Sequence, residues 1–207
     1  MFVVLDGIDG CGKTTQATRL AKTLAAETRR ETLHLREPGS TRLGEALRGI
    51  LLEPGRVLSP AVEAQLFAAA RRQMLDEVVV PALARGAQVV VERFHSSTFA
   101  YQGCAGGLGE EAVLDLLERF AGAPRPDLVL ILDLPAEVAA GRRSRDNQRS
   151  SKPVSDRIED TGLEFQRRVA EGFRRYAKLA PNTVLVDASP PAEEVAEKVL
   201  AEVRRAL

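Results

Sequence analysis

Gly7, Gly12, Lys13 and Thr14 stand at the spacing GxxxxGK[ST], inside the run Gly7-Ile-Asp-Gly-Cys-Gly-Lys13-Thr14-Thr15. Glycines at such positions let the backbone curl until successive N–H groups face one anion, and Lys13 with a helix N-terminus adds positive charge. The hydroxyl of Thr14 is the kind of oxygen that meets a nucleotide-held Mg2+. A chance glycine turn can carry the same letters, so the flanks decide. Phe2-Val-Val-Leu-Asp6 is an apolar run of strand length, and Ala17, Leu20, Ala21 and Leu24 recur at helical spacing behind the loop. Strand, loop, helix is the setting a phosphate cradle needs, and Gly7, Ile8, Asp9, Gly10, Cys11, Gly12, Lys13, Thr14 and Thr15 are its expected members.

A phosphate cradle alone does not separate a switch protein, a motor and a kinase. A GTPase would carry an NKxD-like base-reading segment after a late strand, and the sequence has none. It has arginines instead: Arg36, Arg71 and Arg93 near an expected acceptor, and a cluster from Arg142 to Arg149. Phosphoryl transfer asks the protein to align donor and acceptor and to neutralise charge on the group in flight. Forked guanidinium groups on a closing segment do both and exclude water. The bland reading of the cluster is a solvated charge run; beside a phosphate cradle, the phosphate-binding reading is preferred.

These groups need elements to hold them. Thr32–Arg36, Ala87–Glu92, Asp127–Asp133 and Thr183–Asp187 read as further strands, Ala87–Glu92 apolar enough to be covered on both faces. Helical spacing marks 43–51, a long helix from Ser59-Pro60 toward Gly86 that Pro81 should kink or interrupt, 113–120, a helix from Pro135, 162–179 and a final helix after Ser189-Pro190. A short helical stretch follows Glu92-Arg93 through Tyr101. The segment from Arg142 to Pro153 has almost no apolar content and reads as a mobile basic loop. Alternating strands and helices predict an α/β fold, an open parallel five-stranded sheet with helices on both faces and ligands beyond the carboxyl ends of its strands. Gly7–Thr14, Arg36–Thr41, Glu92–Gln102 and the stretch after Asp133 all fall on that edge.

Composition bounds the partners. The 29 basic and 29 acidic residues of the 207 cancel, so no overall field recruits nucleic acid or an anionic membrane. Cys11 and Cys104 are far apart, without metal-ligand spacing, which suits a reducing compartment. With a strand at the very start and no run long enough to span a membrane, the expectation is a cytoplasmic protein of one domain, 1–207.

The spaced set of Asp9, Arg36-Glu-Pro-Gly39, Leu66-Phe67 with Arg71, Glu92-Arg-Phe94, Ser96-Ser-Thr-Phe-Ala-Tyr-Gln102 and Asp156-Arg-Ile-Glu159 closely resembles bacterial thymidylate kinases, in family order over nearly the whole chain. The resemblance implies the three-layer P-loop nucleoside-monophosphate kinase fold, with a short mobile lid at about 142–157. It also implies ATP-dependent phosphorylation of dTMP to dTDP with Mg2+, usually in a homodimer. On the matching positions, Lys13 and the loop amides would hold the ATP phosphates, and Asp9 would take the acceptor's 3′-hydroxyl. Phe67 would stack on thymine, Arg71 would reach a base oxygen and Arg93 would bind the acceptor phosphate. Thr98 and Gln102 would line the base edge, Tyr101 would lie under the sugar, and Arg36 and Ser97 would complete the acceptor side. Thr14 and Glu92 are the implied metal ligands.

Family members carry a catalytic arginine either in the phosphate loop or in the lid. Gly10 occupies the loop position, so the resemblance assigns the charge to Arg142, Arg145 or Arg149, with Arg142 alternatively covering adenine. Three departures stand out. Glu92-Arg-Phe94 replaces Asp-Arg-Tyr, Ser40 replaces a glycine, and the lid is longer. His34 and His95 match no catalytic constellation, and Arg48 reads as an ordinary surface residue. Asp133 reads as a strand terminator; Asp187 and Ser189 either approach adenine or cap the last helix. The competing readings are a kinase for another pyrimidine monophosphate or a deoxynucleoside, and a non-catalytic nucleotide-binding module.

Overall fold

The structure, a computed structural model, describes residues 1–149 and 161–206; the side chains of 146–149 fall outside that description. The five apolar runs are its strands: β1 (Phe2–Asp6), β2 (Thr32–Arg36), β3 (Gln88–Glu92), β4 (Leu128–Asp133) and β5 (Thr183–Asp187). They pair in parallel throughout, in the order β2-β3-β1-β4-β5. Every residue of β1 and β3 is buried. Side chains of a strand alternate between faces, so both faces of the centre are covered. β5 lies at an edge and leaves Leu185 exposed.

The covering helices are α1 (Lys13–Thr28), α2 (Arg42–Leu52), α3 (Pro60–Met74), α4 (Val80–Ala84), α5 (His95–Thr98), α6 (Glu110–Ala121), α7 (Ala136–Arg149), α8 (Leu163–Leu179) and α9 (Ala192–Ala206). Ser59 caps α3 by accepting from the Val62 amide, with Pro60 in the first turn. The long helix is interrupted as Pro81 predicts: a π turn at Leu75–Val79 lies just before the proline. Among the described residues no helix is long and apolar enough to cross a membrane.

Two elements differ from the sequence reading. The stretch after β3 is only briefly α-helical and continues as a seven-residue π segment, Phe99–Ala105. α8 packs closely on it at Gly172, where an added Cβ would stand 2.9 Å from the Ala100 Cα. The basic segment expected as a loop from Arg142 is helix through Arg149. Arginine favours helix well, and neither glycine nor proline interrupts the run from Arg142 to Arg149, so its low apolar content is compatible with helix. The remainder of the expected lid, including Asp156–Glu159, lies outside the described residues.

Register levels the functional edge. Leu5 and Arg36 both stand opposite Glu92, and Asp6 opposite Ile131, so the loops after β1, β2 and β3 leave the sheet side by side.

Candidate active site

The phosphate loop leaves β1 and enters α1 through Gly12, with no side-chain cap and no acidic residue in the first turn. By contrast, α2 and α3 are capped by Thr41 and Ser59 and carry Glu45 and Glu63. The free N–H groups and positive end of α1 are therefore left to an anion. Lys13 is buried beneath the loop, its ammonium donating to the Gly7 and Ile8 carbonyls at 2.8 Å each. Cys11 is buried under the same loop, where burial pushes its thiol up despite the Lys13 charge.

Asp6, read from sequence only as a strand end, joins this loop to the turn after β3. Its carboxylate accepts from the Gly7 amide (2.9 Å), the Phe94 amide (3.1 Å), Ser96 Oγ (2.6 Å) and Ser97 Oγ (2.7 Å). That turn holds Arg93 at φ +66°, a region costly for a side chain with a Cβ. The strained turn brings the Arg93 guanidinium onto Asp9 and 5.4 Å from the centre of the Tyr101 ring. Tyr101 donates its hydroxyl to the other Asp9 oxygen at 2.8 Å. Burial alone would raise the Asp9 carboxyl, but Arg93, Lys13 and Tyr101 outweigh it and hold it at about 2. Ser97, expected on the substrate, spends its proton on Asp6 and accepts from Arg93 at 3.3 Å, which makes it a support for Arg93.

The expected base pocket is assembled by α3 and the π segment. Phe67 is half-buried and lines the cavity rather than the core. Arg71, one turn on, is 1% exposed. Glu37 accepts from its Nε and Nη2 at 2.7 Å each, Thr98 accepts from Nη2 at 3.1 Å, and the Phe94 ring lies 4.9 Å from the guanidinium. Its buried Nη1 has no partner among the described residues. Desolvation lifts the Glu37 carboxyl to about 7 against the pull of Arg71. Phe94, where a tyrosine is usual in the resemblance, is core: it stacks on His95 at 4.3 Å and meets Phe2 edge-on. His95 is structural, as read; burial and then Arg71 depress it to about 3, so it is neutral and its Nε2–H donates to the Ala121 carbonyl.

Gln102 reaches Glu63 at 3.1 Å on the pocket wall. Arg36 is exposed, beside Glu45 at 3.5 Å. Arg48, read as ordinary surface, instead lines the cavity and donates to the Pro38 carbonyl at 3.1 Å. Ser40 takes φ +64° where the resemblance leads to glycine; its hydroxyl compensates by accepting from the Arg36 amide and donating to the Arg36 carbonyl.

At the expected cation site, Thr14 Oγ1 donates to Glu92 Oε2 at 2.6 Å, and His34 Nε2 donates to Glu92 Oε1 at 2.7 Å. Burial would raise the Glu92 carboxyl, yet His34, Thr14 and Lys13 together bring it below its ordinary value, so it is ionised. No cluster of three or more His, Cys, Asp or Glu side chains able to hold a metal exists among the described residues. One carboxylate and one hydroxyl fit an ion that takes its remaining oxygens from phosphates and water, as Mg2+ does.

α7 crosses above the loop. Gly10 has φ +86°, and a Cβ there would stand 2.6 Å from the Ala139 carbonyl and 3.0 Å from Arg143 Cγ. Arg143, which sequence reasoning passed over, donates to the Asp9 carbonyl at 2.5 Å. Arg142 donates to the Ala188 and Ser189 carbonyls at 3.0 Å each, at the end of the cavity bounded by Pro190 and Val195. Arg145 is exposed at the mouth and bonds back to the Gly141 carbonyl. The side chain of Arg149 lies outside the described residues. Asp133 is held by Arg174 as a strand terminator, and Asp187 accepts from the Ser189 amide in the turn before α9. A single cavity of about 950 Å³ runs from Phe67 past Lys13 to Val195, at the top of the roughly 300–1,000 Å³ range of small-molecule sites.

A family model described as thymidylate kinase matches residues 5–199. A thymidylate kinase of Chlamydia trachomatis serovar D is 40% identical over 207 residues, covering 99% of this chain and 98% of its own. One from Synechococcus sp. strain RCC307 is 42% identical over 212 residues, covering 100% and 96%. One from Desulforudis audaxviator is 40% identical over 209 residues, covering 100% and 91%.

Proposed function

The chain belongs to the thymidylate kinase family, phosphotransferases that convert dTMP to dTDP, and from that premise we propose how its residues perform the transfer with ATP as donor and Mg2+ as companion ion. The observation that carries the assignment is the continuity of one cavity between an uncapped phosphate loop and a wall that holds half-buried Phe67 and, one turn on, the buried Arg71, whose Nη1 has no partner among the described residues. A guanidinium locked on three sides offers one directed donor to a base carbonyl, while the aromatic face of Phe67 supports the ring.

dTMP lies with its base on Phe67, its sugar over Tyr101 and Asp9, and its phosphate on Arg93. The Asp9 carboxylate accepts the 3′-hydroxyl, and Arg93 holds the attacking phosphate oxygen in line. ATP lies along the other half, its phosphates on the loop amides and Lys13 and its adenine at the Ala188–Val195 end under Arg142. Thr14 and Glu92 would hold Mg2+, which would supply positive charge beside the ATP phosphates. Lys13, Arg143 above the loop and Arg145 further along α7 then face the phosphoryl group as its charge spreads. Alignment and charge neutralisation are sufficient roles, because this transfer needs little covalent help.

A steady-state assay with ATP against dTMP, dUMP, dCMP and thymidine tests this reading. dTMP should give the highest kcat/KM; preference for unphosphorylated thymidine would overturn it. The same reading extends to a cytoplasmic homodimer. α2, α3 and α6 leave Leu43, Val62 and Phe120 exposed, and light scattering on a size-exclusion peak tests the assembly.

A further inference from the structure

His34 sits on β2 between Leu33 and Leu35, which pack against the core, so its side chain belongs to the other face of the strand. On that face it is the diagonal neighbour of Glu92, because Arg36 stands directly opposite Glu92 in register. The imidazole is 27% exposed, lies outside the core cluster, and spends its Nε2–H on Glu92 Oε1 at 2.7 Å. The second oxygen of the same carboxylate accepts the Thr14 proton at 2.6 Å. With that proton directed to Glu92, Thr14 Oγ1, on the cavity wall, keeps its lone pairs for a cation. Glu92 is one methylene longer than the aspartate usual in the resemblance, and a longer arm has one more rotor to fix.

We propose that His34 is a positioning residue for the cation site: it pins one oxygen of Glu92 so that the other orients Thr14 toward a phosphate-bound divalent ion. The inference rests on the reading of Thr14 and Glu92 as the metal ligands. Groups that support ligating carboxylates change metal affinity by about 10–100-fold when removed. The effect should therefore appear in the metal dependence of nucleotide binding and leave acceptor binding alone.

The test compares His34→Gln, whose amide reaches as far as Nε2, with His34→Asn, which is too short. Binding of a fluorescent ATP analogue is titrated with Mg2+ and with EDTA, alongside melting temperature and the KM for dTMP. His34→Asn should raise the half-saturating Mg2+ concentration about tenfold. Its affinity in EDTA, its melting temperature and its dTMP KM should stay near wild type, and His34→Gln should restore the Mg2+ response. Equal losses with and without Mg2+, an unchanged Mg2+ response in His34→Asn, or failure of His34→Gln to restore it would each overturn the proposal. Wild-type protein that binds Mg2+ and ATP but does not phosphorylate dTMP would overturn the functional reading and leave the His34 comparison readable.

Discussion

Glu37 and Arg71 form a buried ion pair whose charges are separated from water, and the carboxyl carries the penalty, with its value lifted from 4.5 to about 7. A folded-state value above the unfolded one means that this group's contribution to stability is complete below about pH 4.5 and is lost as pH rises through 7. Glu37→Gln lacks that titration. Its melting temperature relative to wild type should therefore shift upward between about pH 5 and pH 8; a parallel pair of curves would contradict the assignment. At the other partner surface, Phe67→Ala should raise the KM for dTMP about tenfold or more while leaving that for ATP nearly unchanged, as loss of a stacked base predicts. Lys13, Thr14 and Gly12 were legible because their meaning lies in adjacent letters. Glu37, His34 and Arg143 were not, since the partners that give them roles lie 34, 58 and 134 residues away.

Elements were legible where burial dictates them. β1, β3 and β4 are apolar because both sheet faces are covered, and Ser59-Pro60 and Pro81 act through backbone chemistry that is local to them. What sequence misjudged was α7, whose polar run was taken for a loop, and the π segment, whose form is set by packing. α7 explains the glycine at position 10. Gly10→Arg would restore a loop arginine in letters only, because its Cβ would meet the Ala139 carbonyl and its backbone would be strained. The expected outcome is a fall in both melting temperature and kcat; a gain in kcat at unchanged stability would show that α7 yields easily. Gly172 plays the matching part against Ala100 and Cys104 of the π segment. Gly172→Ala should cost about 1–3 kcal/mol by calorimetry or chemical denaturation, because the added methyl meets backbone of the π segment. Displacing that segment should also raise the dTMP KM.

Across the whole molecule, a net charge of zero coexists with seven arginines lining one cavity, so the field that ligands meet there is local. The two halves of the cavity draw on separate groups. On the proposed function, the donor half uses Lys13 and the start of α1, the acceptor half uses Arg71, Phe67 and Glu37, and Asp9, paired with both Lys13 and Arg93, is shared. Each ligand that binds the folded state alone stabilises it by about 2.7 kcal/mol at a hundred times its dissociation constant. For a chain of this size that is a rise of about 5–10 °C in melting temperature. Separate halves predict a crossed pattern in scanning calorimetry. Lys13→Ala should lose most of the ATP shift and at least about 100-fold in kcat, yet keep the dTMP shift. Arg71→Ala should do the reverse. If Lys13→Ala removed both shifts, the lysine's bonds to the Gly7 and Ile8 carbonyls would be holding the loop, and with it Asp9, in shape for both substrates at once.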